Sequence, residues 1–469
     1  MKFPTFLFSI FLIIFKNITP KEKIIFAWQM NRHGARAPYL GVKDGIDAYK
    51  EKWTQIEELS EVGKRMLYLL GVKARKRYIN EYKLLSEKYN PQEIYIRSTD
   101  VNRTIESIES FLQGFYPAGT GPIIKDTIAN DSSIVYPPNK KYYKDFDDII
   151  IKYNLTENNS ALPYTMSVQP VHLFYKPDHQ FGLYDSNICI GHKAIYEAQK
   201  KRQEILDFAD ELLNKFDFYH DLEGTSKENK TFMQDYSTLY KYMDGFVCDD
   251  IDQRNFRYLI EKHGFNNETK ALLKNYSDQY LWMDYFGTNY PAGYDDISIM
   301  SNSYTLHSIV NWMEKAISGY INNKNNSRNN NDDNQSYIKY VIFSAHDASI
   351  GALEHYMKFA FDLEPEYATF AETRFFELYY ENENSTEAKV RYIKGNKTEK
   401  LSETFEEFKN KIDNTTWTDE RVDNFCQFKV EEEKDINKSE SHTLIASMII
   451  LVVVDFILIL VLILLCFKK

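Results

Sequence analysis

The chain has 469 residues, 43% of them hydrophobic, with a formal net charge of -11 and a pI near 5.5. That is enough apolar material for a large core and for more than one domain, which excludes a disordered chain. Its acidity argues against nucleic acid and against a polybasic membrane patch, so any anion site must be a local positive spot on an acidic body.

Residues 1–19 carry Lys2 and an apolar run from Phe6 to Phe15. This run is too short for a bilayer and the right size for the core of a signal peptide. Cleavage is the expectation; no small-x-small site follows, so an uncleaved anchor is the alternative. Ile24 to Met30 is β-branched and aromatic and stops at a polar block, Asn31 to Pro38, which reads as a short buried strand and its loop. In an α/β sheet, ligands sit beyond the carboxyl ends of such strands. Arg32 and Arg36 offer forked donors to an anion, and Gly34 lets the backbone come close. His33 between these cations should stay neutral, and therefore nucleophilic, in mildly acidic surroundings. An Arg-His-Gly triplet alone could be an ordinary polar loop. The longer pattern Arg-His-Gly-x-Arg-x-Pro after a strand is more specific.

Leu59 to Gly63 leads into a helix expected over 64–82. Glu93 to Ile96 reads as a second strand, closed by Arg97-Ser98-Thr99-Asp100. Ser98 or Thr99 is expected to cap the next helix, whose stripe is Val101, Ile105, Ile108 and Leu112. A third unit follows far downstream: strand Tyr340 to Phe343, polar end Ser344 to Asp347, helix Ala348 to Phe359. Parallel strands would bring Arg32, His33, Arg36, Arg97, His346 and Asp347 to one rim.

Between the units, 160–300 is expected to be an inserted, mainly helical cap, so that 20–159 and 301–430 form the core. Asn322 to Asn334 reads as a solvated loop, and Phe375 to Tyr380 with Val390 to Ile393 as a hairpin. A linker at 431–443 precedes the apolar run 444–467, long enough to span a membrane, with Lys468 and Lys469 as a cytosolic tail. Asp455 is tolerated within it, and a removed lipid-anchor signal is the competing reading. Sequons from Asn130 to Asn437 fit a glycosylated luminal domain, giving a single-pass type I protein. No metal signature competes: there is no His-Glu-x-x-His, and His172 and His179 are not spaced as a ligand pair.

The blocks Arg32 to Pro38, Leu59 to Tyr78, Arg97 to Thr104 and Ser344 to Asp347 together resemble the histidine acid phosphatases, branch 2 of the histidine phosphatase superfamily, which include lysosomal and prostatic types and phytases. The resemblance implies an α/β fold, a three-layer sandwich around a mostly parallel sheet, with the cap roofing the pocket. It implies that Arg32, Arg36, Arg97 and His346 hold the phosphate, that His33 is the nucleophile and that Asp347 is the general acid. It implies phosphomonoester substrates and no cofactor, and a homodimer is carried as an expectation. From the residues alone, Cys189, Cys248 and Cys426 outside the membrane run are an odd number with open pairing. The resemblance implies a Cys189–Cys426 bridge and leaves Cys248, without its expected partner near Phe370, free, buried or paired between chains. Two function classes follow: a luminal or cell-surface acid phosphatase, with phytase-like or lysophosphatidate-directed variants, and a receptor or adhesion protein on an inactive phosphatase fold.

Overall fold

The computed structural model describes residues 22–38, 57–129, 159–173, 189–199, 294–328, 336–366 and 368–426, with the single positions 203, 207, 244, 247, 248, 268 and 271. The expected signal segment, most of the 160–300 insertion, the linker 431–443 and the membrane run 444–467 lie outside the described residues. Among the described residues no helix is long and apolar enough to cross a membrane.

The first strand, β1 (Lys23–Arg32), is buried from Ile24 through Arg32. A continuous apolar run of this kind needs cover on both faces, which a central strand in an α/β sandwich receives. After it come helix α1 (Glu61–Ala74), strand β2 (Ile94–Ser98) and helix α2 (Asn102–Phe115). A two-residue strand β3 (His172–Leu173) and helix α3 (Ile190–Gln199) follow. Then come helix α4 (Tyr294–Arg328), strand β4 (Tyr340–Ala345) and helix α5 (Asp347–Phe361). The chain closes with β5 (Thr373–Tyr380), β6 (Lys389–Lys394), β7 (Lys397–Lys400), α6 (Phe405–Thr415) and α7 (Asp419–Cys426).

The sheet order is β3-β2-β4-β1-β5-β6-β7. Strands β3, β2, β4 and β1 pair in parallel, and β5, β6 and β7 continue antiparallel. The sheet is therefore mixed rather than mostly parallel. Short connections after β5 and β6 can only return the chain beside itself, whereas the parallel half is joined by helical crossovers. One face packs against α1 and α2 through Leu67, Ile108, Phe111 and Phe115, which meet Ile94, Ile96, Tyr340 and Ile342. On the other, Trp28 meets Phe343 and Phe376 edge-on, and Phe408 of α6 stacks on Phe361 of α5. Asn302 on α4 donates to the carbonyl of Ala352 on α5, 2.9 Å, tying these two helices together.

Several local expectations shift. The helix after β1 widens its register after Ala74 and runs on as a π-helical stretch, Arg75–Glu81. That stretch puts both Arg77 and the Tyr78 hydroxyl on the fully buried Glu377 carboxylate, each at 2.7 Å. Helix α2 is preceded by Val101, not capped by Ser98 or Thr99. Ser98 is the last strand residue, and the Thr99 hydroxyl is committed elsewhere. Helix α4 is continuous across residue 300, where the core was expected to resume, and carries 322–328 as helix instead of loop. β3, from the inserted segment, forms an edge of the sheet beside Arg97 and Ser98.

Candidate active site

The carboxyl ends of β1, β2 and β4 meet because these strands are parallel neighbours in register: Arg32 pairs with Ala345, and Arg97 with Phe343. The rim is pinned by polar bonds between the units. Asn31 donates to Ser344 Oγ (3.3 Å), which in turn donates to the Thr104 carbonyl at the start of α2 (2.8 Å). Of the six side chains expected there, Arg32, His33, Arg36, His346 and Asp347 act on one another in this region, and all of these but His346 are buried. The arginines that bear on the two histidines are Arg32, Arg36 and Arg103, whereas Arg97 is buried at the end of β2 beside Tyr95.

His33 follows β1 directly, its backbone N–H donating to Ala345. Its Nδ1 lies 2.8 Å from the Gly34 carbonyl. A carbonyl only accepts, so Nδ1 carries the proton and the Nε2 lone pair is left for chemistry. Burial, then the charges of Arg36 and Arg32, hold the imidazole well below its ordinary pKa. It is thus neutral even in acid. Gly34 is required for a different reason from the one expected: a Cβ there would come within 2.5 Å of the Gly63 carbonyl oxygen. The glycine pair lets the His33 loop lie against the first turn of α1, where Ser60 caps Gly63 and donates to the Ala35 carbonyl.

Arg32 is fixed on three sides. It donates to the Ala368 carbonyl (2.9 Å), pairs with Asp347 (2.7 Å) and lies 4.1 Å over the Phe370 ring. Asp347 opens α5, and its other oxygen accepts from the Ala348 N–H (2.8 Å). Burial pushes this carboxyl up, but Arg32 and then Arg36 outweigh it and hold it below the usual range. His346 stands between β4 and α5, its ring centroid 5.7 Å from that of His33. Burial and then the Arg103 charge push its pKa down. Arg97, nearly buried at the end of β2, shares a face with Tyr95, which stacks on His172 at 4.8 Å.

Two functional neighbours escaped the sequence reading. Arg103 pairs with Glu57 (2.6 Å) and weighs on both histidines. Its position in the first turn of α2, six residues after Arg97, was the available signal. Asp244 grips Arg36 with both oxygens at 2.9 and 2.8 Å. It comes from the inserted segment, and nothing in the sequence near it announced a partner for Arg36. Among the described residues no three His, Cys, Asp or Glu side chains stand together as a metal-ligand set.

Cys189 and Cys426 are joined in a disulfide, tying the start of α3 to the end of α7 across 237 residues. Cys248 forms no disulfide with another described residue; it is buried against Ala35 and Phe370, with Arg36 Nη1 3.8 Å from its sulfur. Phe370 thus occupies the neighbourhood in which the missing half of a second bridge was sought.

The family pattern of the histidine phosphatase superfamily (branch 2) matches residues 23–395. Putative acid phosphatase 11 of Caenorhabditis elegans is 36% identical over 110 residues, 23% of this chain and 26% of that protein. Lysophosphatidic acid phosphatase type 6 of Homo sapiens is 40% identical over 81 residues, 17% of this chain and 19% of that protein. The lysosomal acid phosphatase of Xenopus laevis is 39% identical over 102 residues, 21% of this chain and 22% of that protein. The chain therefore aligns with about a fifth to a quarter of the length of these curated relatives. The phytase from Citrobacter braakii shares the fold, with a TM-score of 0.51 and 12% identity over 84% of this chain and 98% of that one. With a family pattern that runs from the first residue of β1 to the turn after β6, and with the arginine and histidine rim in place, this chain belongs to the histidine phosphatase superfamily, branch 2.

Proposed function

We propose that the chain is an acid phosphatase that hydrolyses phosphate monoesters through a phosphohistidine on His33. The observation that carries this reading is the His33 ring itself: buried among arginines, kept neutral, with Nδ1 spent on the Gly34 carbonyl and Nε2 free to attack. Arg32, Arg36 and His346 hold the phosphoryl oxygens and stabilise their charge in the transition state, with Arg103, whose charge bears on both histidines, in the role expected of Arg97. Nε2 bonds to phosphorus as the ester P–O bond breaks, and Asp347 gives its proton to the departing oxygen. Water then attacks the phosphohistidine, Asp347 takes its proton, and inorganic phosphate leaves. Paired with Arg32, Asp347 is held ionised before substrate binds. A bound phosphoryl group draws Arg32 to itself and places like charge beside the carboxyl, and both effects raise the Asp347 pKa so that it loads with a proton.

The placement that goes with this activity is a single-pass type I protein with its phosphatase domain in the lysosomal or endosomal lumen or at the cell surface, as the apolar ends and sequons suggest. A lysophosphatidate-directed specificity is the second reading. It is favoured by the 81-residue match to a relative named for that substrate and by the apolar run that would hold the domain beside lipid. The test is a panel of alkyl phosphates, inositol hexakisphosphate and lysophosphatidate across the acidic range, with quenched enzyme examined for labelled phosphate on histidine. Turnover with an acid-labile label that His33→Ala abolishes is expected. Neither turnover nor label would favour the receptor reading instead.

A further inference from the structure

Beside His346 lies a chain of hydroxyls whose direction can be worked out from acceptors alone. Thr104 Oγ1 lies 2.8 Å from the Val101 carbonyl and 3.0 Å from the Thr99 carbonyl, two atoms that can only accept. Its single proton therefore goes to one of them. Thr99 Oγ1, 2.7 Å from Thr104 Oγ1, must then be the donor of that pair. Its lone pairs are left facing His346 Nε2 at 3.1 Å, so Nε2 must carry a proton.

We propose that Thr99, oriented by Thr104, is a positioning residue that fixes His346 in its Nε2–H form and leaves Nδ1 as the only ring nitrogen available to the phosphoryl group. The second half of this statement rests on the phosphatase reading; the first does not. The groups that face His346 are Arg103 on α2, Asp347 next in the chain, Arg32 at the end of β1, and His33 and Arg36 after it. In that surrounding the ring is neutral before phosphate binds, and a bare Nδ1 would repel a phosphoryl oxygen. Nδ1 becomes a donor by taking up one proton, brought by the ester monoanion or by solvent. His346 then meets the anion as an imidazolium, with one N–H on Thr99 and the other on phosphate. The relay selects against the opposite tautomer, which could grip phosphate while neutral but would leave the Thr99 lone pairs facing a bare nitrogen.

The experiment is nitrogen NMR on the full chain labelled at histidine, with His346 assigned by loss of its signals in His346→Asn, and inorganic phosphate as the probe. The empty protein is expected to show Nε2 protonated and Nδ1 bare, and phosphate should protonate Nδ1. Thr99→Val, close in shape, should mix the tautomers and weaken phosphate binding about tenfold or more, as the loss of a hydrogen bond to a charged group does. Thr99→Ser should restore both, with near-ultraviolet circular dichroism unchanged throughout. An Nδ1–H form in the empty protein overturns the proposal. So does a Thr99→Val protein with unchanged tautomer and affinity, or a failure of Ser to rescue. A Thr99-dependent Nε2–H form whose signals ignore phosphate upholds the relay and overturns the phosphate role of His346.

Discussion

Replacing Asp347 with Asn separates a helix-opening residue from a proton donor. One carboxylate oxygen accepts from the Ala348 N–H at 2.8 Å and the other faces Arg32 at 2.7 Å. An amide has one oxygen, so Asp347→Asn can keep one of these contacts and must turn its NH2 toward a donor at the other. Losing a charged hydrogen bond in so buried a place should cost about 1.5–3 kcal/mol of stability. Arg32 keeps the Ala368 carbonyl and the Phe370 ring, so the clamp should hold its shape. Phosphate affinity should be unchanged or tighter, because a carboxylate that opposes the anion is gone. The chemical step should suffer most. On alkyl phosphates, whose alkoxide leaves badly unprotonated, kcat should fall about 10²- to 10⁴-fold, the range for a lost general acid. On nitrophenyl phosphate, whose phenolate needs little help, the fall should be much smaller. Steady-state kinetics on both substrates, with inorganic phosphate inhibition measured alongside, decide it. Equal losses on the two substrates, or a loss explained by weaker phosphate binding, would refute the acid role.

Gly63→Ala should destabilise the fold by about 1–3 kcal/mol or more, since a Cβ there would come to 2.1 Å from the Ala35 carbonyl oxygen. Denaturant melts read the stability, and kcat should fall as well because the displaced loop carries His33 and Arg36. His355 on α5 is held by burial to a pKa of about 3, against 6.5 when unperturbed. Between those values only the unfolded chain takes the proton, so stability declines as pH falls through this window, by on the order of 4 kcal/mol at its lower end. His355→Phe should flatten that decline in acid melts, and an unaltered pH profile would refute the account. Reducing the Cys189–Cys426 bridge should cost about 2–5 kcal/mol. Non-reducing peptide mapping should recover that pair with Cys248 alkylatable after unfolding, and a Cys189–Cys248 peptide would contradict it.

The three strand-to-helix units were legible because β1, β2 and β4 are unbroken apolar runs that end abruptly in charge. That is the pattern a doubly covered parallel strand imposes. Arg32, His33, His346 and Asp347 could be placed at one rim because each sits where a run stops; Arg97 sits at such a stop too, yet its side chain shares the Tyr95 face of β2. Arg103 was harder to read because a helix's first turn commonly carries charge for reasons of solvation alone. Asp244 could not be read at all: its importance lies in which arginine it meets, and that is decided by how the inserted segment folds back. The antiparallel half of the sheet was partly visible as a hairpin. Its attachment to β1 through β5 was not, because short alternating strands do not declare their neighbours.

The placement of β1 at the middle of the sheet sets a schedule for biogenesis. Both of its partners, β4 and β5, belong to the last third of the chain; Asn31 and the Ser344 that it bonds are 313 residues apart. At about 5–20 residues per second of synthesis, β1 waits roughly 15 to 60 s before either neighbour exists. For that interval a strand that is buried along nearly its whole length in the folded domain has two open edges, prone to pairing with the wrong chain. Folding of this domain should therefore be post-translational in its decisive step, and a ribosome that stalls before Ala345 should release an aggregation-prone fragment with no partly folded, competent intermediate.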